Sequence, residues 1–283
     1  MKSRRWTCAV ALSVISLLAQ EETAPKAEQL LAEGRYTEAE RLARQSLAAT
    51  ERLRGSDHPE VAFDLNLLAA TYFKRGLYSK AEPLLRRATQ IADKDFGPDH
   101  PDTLKAKANL AFVLTNRLKY AEAEGFYRAV LRGLEKSLGH QSVEVATVLC
   151  QVAILRASQG AAPEAVSLLE EALRILEKAP ELPAFDLGMA LANLATVYQR
   201  SGRLVEAKTL FERALPMLEK AGGGDHPELA GYLLEYAAVL KKLGRKQEAK
   251  ATVMRARAII DKYSLEDAAV RHTIDVRVLR TQH

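Results

Sequence analysis

Alanine recurs at a fixed interval of 42 residues through most of this 283-residue chain. Two series keep the interval without slippage. The first runs from Ala27 through Ala69, Ala111, Ala153, Ala195 and Ala237, and the second from Ala39 through Ala81, Ala123, Ala165, Ala207 and Ala249. A fixed period indicates one structural unit that is repeated. We therefore predict six units, at residues 20–61, 62–103, 104–145, 146–187, 188–229 and 230–271.

Each unit has the pattern of two helices. Around the first alanine, apolar residues recur at helical spacing, as in Leu65, Leu68, Ala69 and Tyr72. A second amphipathic stretch follows, and the alanines of both stretches lie on the apolar faces. Two antiparallel helices approach closely only where the facing side chains are small. The pattern therefore predicts helix pairs held together at their alanines.

Glycine separates the two helices of most units, where a turn needs positive φ. The series is Gly34, Gly76, Gly160, Gly202 and Gly244. Leu118 occupies this position in the third unit, so we predict that this turn adopts another geometry, supported by Asn116.

The start of the second helix carries the spacing of a capping box in two units. Thr37 precedes Glu40, and Ser79 precedes Glu82, by the three residues that this motif requires. We predict that the Thr and Ser hydroxyls cap these helices.

The repeats resemble the tetratricopeptide repeat, and specifically its longer kinesin-light-chain type. The resemblance is carried by phrases such as "NLATVY" and "YSKAEPLLRRA" and by the His-Pro linkers at His58, His100 and His226. It implies an all-α fold, a right-handed α-solenoid of about six stacked helix-turn-helix units. It also implies that proteins or peptides bind in the concave groove, which the first helices line.

Three positions depart from this pattern. Arg156 stands where Tyr or Leu is expected on the core face, so its stem should extend toward solvent. Pro216 lies deep in a second helix and should kink it. A proline-containing linker, 179–184, replaces the His-Pro loop.

Helical geometry selects candidate groove residues, which lie opposite the core face of each first helix. Phe63 and two further phenylalanines would form an apolar wall. The resemblance implies that amides next to this face hold a peptide backbone. The candidates are Phe73, Lys74, Lys105, Asn109, Phe112, Asn116, Gln151, Asn193, Arg200, Lys241 and Lys242. Such a face suits an acidic-hydrophobic protein segment. The alternative is that these side chains pack against neighbouring first helices or face water.

The N-terminal segment has the layout of a secretory signal, with basic residues, an apolar run and then acidic residues. We expect residues 1–19 to be removed and the protein to be exported, periplasmic or secreted; an uncleaved membrane anchor is the alternative. Cleavage would also remove Cys8, so that Cys150 is the one cysteine left and no internal disulfide forms. No stable membrane span is expected after cleavage.

Charge and motifs narrow the classes of function. The chain has 41 basic and 36 acidic residues, and removal of Lys2, Arg4 and Arg5 leaves 38 basic and 36 acidic residues. Because the remaining charges nearly balance, they give no support for a nucleic-acid partner. The three linker histidines lie in different loops without a second ligand at metal-binding spacing. Phosphate-binding loops and nucleophile elbows do not occur in the sequence. We expect no cofactor, no metal and no enzymatic activity.

Two functions remain at this point. One is a scaffold that mediates protein-protein interaction through its groove, and the other is an architectural or self-associating spacer that uses its convex face and ends. The tail, 272–283, alternates apolar and polar residues and is predicted to form a short strand or to stay disordered.

Overall fold

The computed structural model describes residues 23–181, 183–222, 224 and 226–264. The predicted signal, 1–19, and the tail, 272–283, lie outside these residues. Helix α1 spans 23–32. The other described helices are α2 (Tyr36–Arg54), α3 (Pro59–Lys74), α4 (Tyr78–Asp95), α5 (Pro101–Asn116), α6 (Tyr120–Leu138), α7 (Val143–Ser158), α8 (Ala162–Lys178), α9 (Ala184–Arg200), α10 (Leu204–Gly222), α11 (Pro227–Lys242) and α12 (Lys246–Ser264). Among the described residues no strand occurs, and no helix is long and apolar enough to span a membrane.

Contacts divide the chain into two compact units, Met1–Leu110 and Ala111–His283, so the division falls within α5. In the first unit α3 packs on α2 and on α4. In the second unit α7 packs on α8, α9 on α10 and α11 on α12. This consecutive packing of helix pairs confirms the predicted all-α class of stacked helix-turn-helix units. From α3 onward, the first helix of each pair begins three or four residues before the predicted start of its unit. The unit predicted at 62–103, for example, has its first helix from Pro59.

The repeated alanines all lie in the core. All ten alanines of the two series from Ala69 to Ala249 are buried, and eight of them have no exposed surface. Their methyl groups let paired helices approach closely, and larger apolar residues such as Leu169 and Phe211 fill the space around them. In the second unit one apolar cluster extends from α7 to α12, and it contains Ala153, Ala165, Ala195, Ala207 and Ala237 of the two series.

The linker histidines start helices. The backbone N–H of Glu60 donates to Nδ1 of His58 at 3.3 Å, and the N–H of Glu228 donates to Nδ1 of His226 at the same distance. Each imidazole therefore satisfies one of the free N–H groups at a helix start.

The predicted capping boxes are wrong. Helices α2 and α4 begin at Tyr36 and Tyr78, and their N-cap residues, Arg35 and Leu77, make no side-chain capping hydrogen bond. Thr37 and Ser79 lie inside the first turn instead. Glu40 and Glu82 point into the protein and are buried, where arginines bind them. The spacing from Thr or Ser to Glu thus reflects a buried acid one turn into the helix.

Leu118 contradicts the expectation of another turn geometry, because it adopts positive φ (60°), close to that of Gly76 (70°). The turn hydrogen bonds are equivalent as well. The N–H of Leu118 donates to Thr115 O at 3.0 Å, as that of Gly76 does to Phe73 O at 2.9 Å. Asn116 does not support the turn, since its Nδ2 donates to Phe112 O within α5. Leu118 therefore carries the steric cost of a left-handed residue.

We predict that Leu118→Gly raises the free energy of unfolding by about 0.5–1 kcal/mol, because glycine adopts this φ without a Cβ clash. Urea unfolding followed by circular dichroism measures the change. Leu118→Ala is the control, since it removes the exposed apolar side chain but keeps the Cβ. Equal gains from alanine and glycine would show that the backbone conformation is not the cause.

The structure also describes the three departures at Pro216, at the linker 179–184 and at Arg156. Helix α10 continues through Pro216 to Gly222, and α8 and α9 are separated by the proline-containing linker. The guanidinium of Arg156 is bound by acids of two neighbouring helices. Its Nη2 and Nη1 lie 3.0 and 3.2 Å from the two carboxylate oxygens of Glu124 in α6, and its Nε lies 3.2 Å from Glu164 in α8. The hydrogen bond from Arg156 lowers the pKa of Glu124.

Candidate functional site

The first helices present one accessible face, which we call the first-helix face. On α3, Phe63, Asn66 and Phe73 are exposed or half-buried, whereas Leu65 and Leu68 are buried. The same positions of later first helices are accessible in most cases, and the buried exceptions are Thr115, Cys150, Ala192, Gln199 and Leu234. The helical period therefore identified this face from the sequence.

In the first unit the first-helix face has an aromatic end. Phe63 is 50% exposed, and its ring meets the edge of Phe96 with centroids 6.4 Å apart. Phe96 in turn stacks on His100 at 4.8 Å. Lys105 is exposed on α5, and Phe73 and Lys74 are half-buried on α3.

The predicted amides differ in what they contact. Asn109 donates from Nδ2 to Oδ1 of Asn66 at 2.9 Å, which joins α5 to α3. In the second unit, Tyr232 of α11 donates its hydroxyl to Oδ1 of Asn193 at 3.1 Å. Gln151 differs, because its buried Oε1 has no hydrogen-bond partner among the described residues. Two of the three amides thus join neighbouring first helices, while the Oε1 of Gln151 is buried without a partner among the described residues.

Arg200, Lys241 and Lys242 form a basic end of the face in the second unit. All three are exposed, in the last turn of α9 or α11, where cations are favoured by the helix dipole. Among the residues that the structure describes, none of these three cations makes an ion pair. Nearby Arg203, by contrast, is bound to Glu206 and stacks on the Tyr198 ring. The basic end therefore offers uncompensated positive charge.

The remaining candidates, Phe112 and Asn116, lie on the C-terminal half of α5, half-buried and exposed respectively. Sequence reasoning missed Asn66 and Tyr232 as partners of the amides. Asn66 was identifiable because it lies opposite the core face of α3, but Tyr232 lies in phase with the buried residues Asp64, Ala106, Val148 and Ala190 and gave no signal.

Reactive groups are few. Cys150 is buried among apolar side chains, and this burial, with a smaller effect of Asp186, raises the pKa of its thiol to about 12. The thiol is therefore protonated at neutral pH and is a poor nucleophile. In the part of the chain that the structure describes, no group of three or more His, Cys, Asp or Glu side chains is arranged to hold a metal ion.

Comparison with known proteins agrees with this geometry. The family model described as tetratricopeptide repeat matches residues 21–94, 65–114, 102–178 and 186–262. The structure of BtubC (BKLC) from P. vanneervenii is 26% identical, with a TM-score of 0.58 over 78% of this chain and 87% of that chain. A putative kinesin light chain with nearly identical TPR-like repeats from Podosopora anserina is 26% identical, with a TM-score of 0.51 over 72% and 97% of the two chains.

A more distant structure, NprR in complex with its cognate peptide NprX, is 14% identical, with a TM-score of 0.72 over 94% of this chain and 74% of that chain. At this identity the likeness shows the fold alone. No curated protein matched the chain.

Proposed function

Because this chain belongs to the tetratricopeptide repeat family, we propose that it is a binding protein that holds a segment of another protein on its first-helix face. The observation that carries the proposal is the basic end, where Arg200, Lys241 and Lys242 are exposed and have no acidic partner among the described residues. Binding requires no catalytic group or cofactor, which agrees with the protonated, buried state of Cys150. The fold is also that of NprR, whose structure contains a bound peptide.

The partner that suits this surface is an acidic segment with large apolar residues. Carboxylates would pair with the three cations, while half-buried Ile154 and Met189 on the same face of α7 and α9 would contact apolar side chains. We also propose that the protein is exported, on the signal-like layout of residues 1–19.

A displayed library of random ten-residue peptides tests this proposal. We expect the wild-type protein to enrich peptides that combine Asp or Glu with large apolar residues. Lys241→Glu with Lys242→Glu should weaken binding of the enriched peptides by roughly 30-fold or more, because charge pairing is replaced by repulsion. Fluorescence anisotropy of labelled peptides measures the loss, which should shrink in high salt.

The matched control is Lys246→Glu with Lys250→Glu, which makes the same change of charge at exposed lysines of α12, away from the first helices. This variant should bind the peptides like the wild type. Equal binding by both double variants, or enrichment of basic peptides, would contradict the proposal. Self-association that is unchanged in the Lys241/Lys242 variant, without any peptide enrichment, would favour the spacer function.

A further inference from the structure

We call the contact between the second helix of one repeat and the first helix of the next repeat a seam. The seam between α4 and α5 differs chemically from the other seams. Three of its positions are Thr89, Thr103 and Lys107, all buried. The other seams have apolar residues there, which are Leu47, Val61 and Leu65; Leu131, Val145 and Leu149; Leu173, Leu187 and Leu191; and Leu215, Leu229 and Leu233. Thr103 and Lys107 share one face of α5, since they are one helical turn apart. Polar groups thus replace an apolar layer at this seam alone among the described helix pairs.

The polar groups of this seam are incompletely satisfied. Nζ of Lys107 lies 2.6 Å from Oδ1 of Asp93 in α4 and 3.3 Å from the carbonyl oxygen of Pro98. The buried hydroxyls of Thr89 and Thr103 have no hydrogen-bond partner within the described parts of the chain. An unpartnered buried hydroxyl and a desolvated ammonium both disfavour the closed seam, and water would satisfy them if the helices moved apart.

The seam between α2 and α3 shows the contrast. It also contains a buried acid, Asp64, whose pKa is raised by burial. Here, however, Ser46 and Thr50 donate their hydroxyls to its two carboxylate oxygens at 2.6 and 2.5 Å. Buried polarity therefore occurs at both seams, but the carboxylate of Asp64 is hydrogen-bonded whereas the hydroxyls of Thr89 and Thr103 are not.

We propose that the α4–α5 seam is an opening point built into the array, at which α4 and α5 separate transiently while both remain helical. The opening breaks the layer formed by Thr89, Asp93, Thr103 and Lys107 and exposes it to water. It also separates α5 from the helix pair α3–α4, so the hydrogen bond between Asn66 and Asn109 on the first-helix face breaks at the same time. A ligand that contacts both of these amides would hold the seam closed.

Thiol labelling of buried cysteines tests the opening, because the labelling rate of a buried thiol follows the population of the open state. Cys8→Ser and Cys150→Ala remove the native thiols. Ala106→Cys then places a probe thiol in the α4–α5 seam, and Ala190→Cys places one at the equivalent position of the α8–α9 seam; both alanines are buried and lie in the same phase of the repeat. Val61→Cys places a third probe thiol in the α2–α3 seam.

We expect the α4–α5 probe to react with a maleimide at least about tenfold faster than the α8–α9 probe. One unsatisfied buried polar group destabilises the closed state by enough to raise the population of the open state by this factor. Restoring the apolar layer with Thr89→Leu, Thr103→Val and Lys107→Leu should lower the rate of the α4–α5 probe to that of the α8–α9 probe. Circular dichroism checks that each variant is folded. If the triple variant does not fold, Lys107→Leu alone should lower the rate by about threefold.

Equal rates for the α4–α5 and α8–α9 probes would overturn the proposal, as would an α4–α5 rate that the apolar variants leave unchanged. A rate for the α2–α3 probe above that of the α4–α5 probe would also overturn it, since the opening would then be fraying from the N-terminal end. None of these measurements uses a binding partner, so they are independent of the proposed function.

Discussion

Replacing Glu40 with alanine is expected to lower the free energy of unfolding of the first unit by about 3–5 kcal/mol. Glu40 is buried, and its carboxylate binds Arg75 from the turn after α3 as well as Arg44 at 2.6 Å. The side chain of Arg75 is 14% exposed. Without Glu40 its charge stays buried without the acid that compensates it, which is the costly way to break such a pair. Urea unfolding followed by circular dichroism measures the loss.

Glu38→Ala provides the matched control. Glu38 lies on the same helix and binds Arg35, but both side chains are about half exposed, so its removal should cost less than about 1 kcal/mol. The double variant Glu40→Ala with Arg75→Met should recover part of the loss, because it also removes the buried cation. A cost for Glu40→Ala as small as that for Glu38→Ala would show that the pair is solvated.

The second large effect is expected where paired helices touch. Ala195→Leu combined with Ala207→Leu should destabilise the second unit by roughly 2–6 kcal/mol, about twice the cost of one overpacked core position. Both alanines have no exposed surface and belong to the apolar cluster of α7 to α12. Leucine at either position would push α9 away from α10. Thermal unfolding of the wild type and the variant measures the effect.

Ala251→Leu with Ala258→Leu is the corresponding control, since it adds the same atoms at exposed positions of α12. Its stability should stay within about 0.5 kcal/mol of the wild type. If the two double variants were equally stable, the small side chains would not be what permits the helices to approach.

Most of the fold follows from the alanine period, because burial at helical spacing constrains both the elements and their pairing. The sequence also locates the first-helix face, since Phe63 and Lys241 lie opposite the core positions of their helices. The phase of the second helix is less well determined. The spacing of Thr37 and Glu40 is the same for a capping box and for a buried acid, and only the position of the opposite helix distinguishes the two.

Contacts between helices account for the rest. The acids that bind Arg156 lie on two different second helices, and nothing in the local sequence pairs them with it. Asn109 and Asn193 look alike as candidate ligands of a peptide backbone, yet each is engaged by a residue of a neighbouring first helix. Their role in binding stays a prediction, as does that of the basic end.

Leu118 has a consequence for engineering. Leu118 adopts the positive φ of a glycine in spite of the steric cost of its Cβ. The packing of the two helices therefore determines the conformation of the loop, and glycine only lowers the free-energy cost of that conformation. When modules are grafted from this chain into designed arrays, the methyl-sized contacts must be transferred intact. Other residues can then replace the glycine in the loop, and each should lower the free energy of unfolding by about 1 kcal/mol.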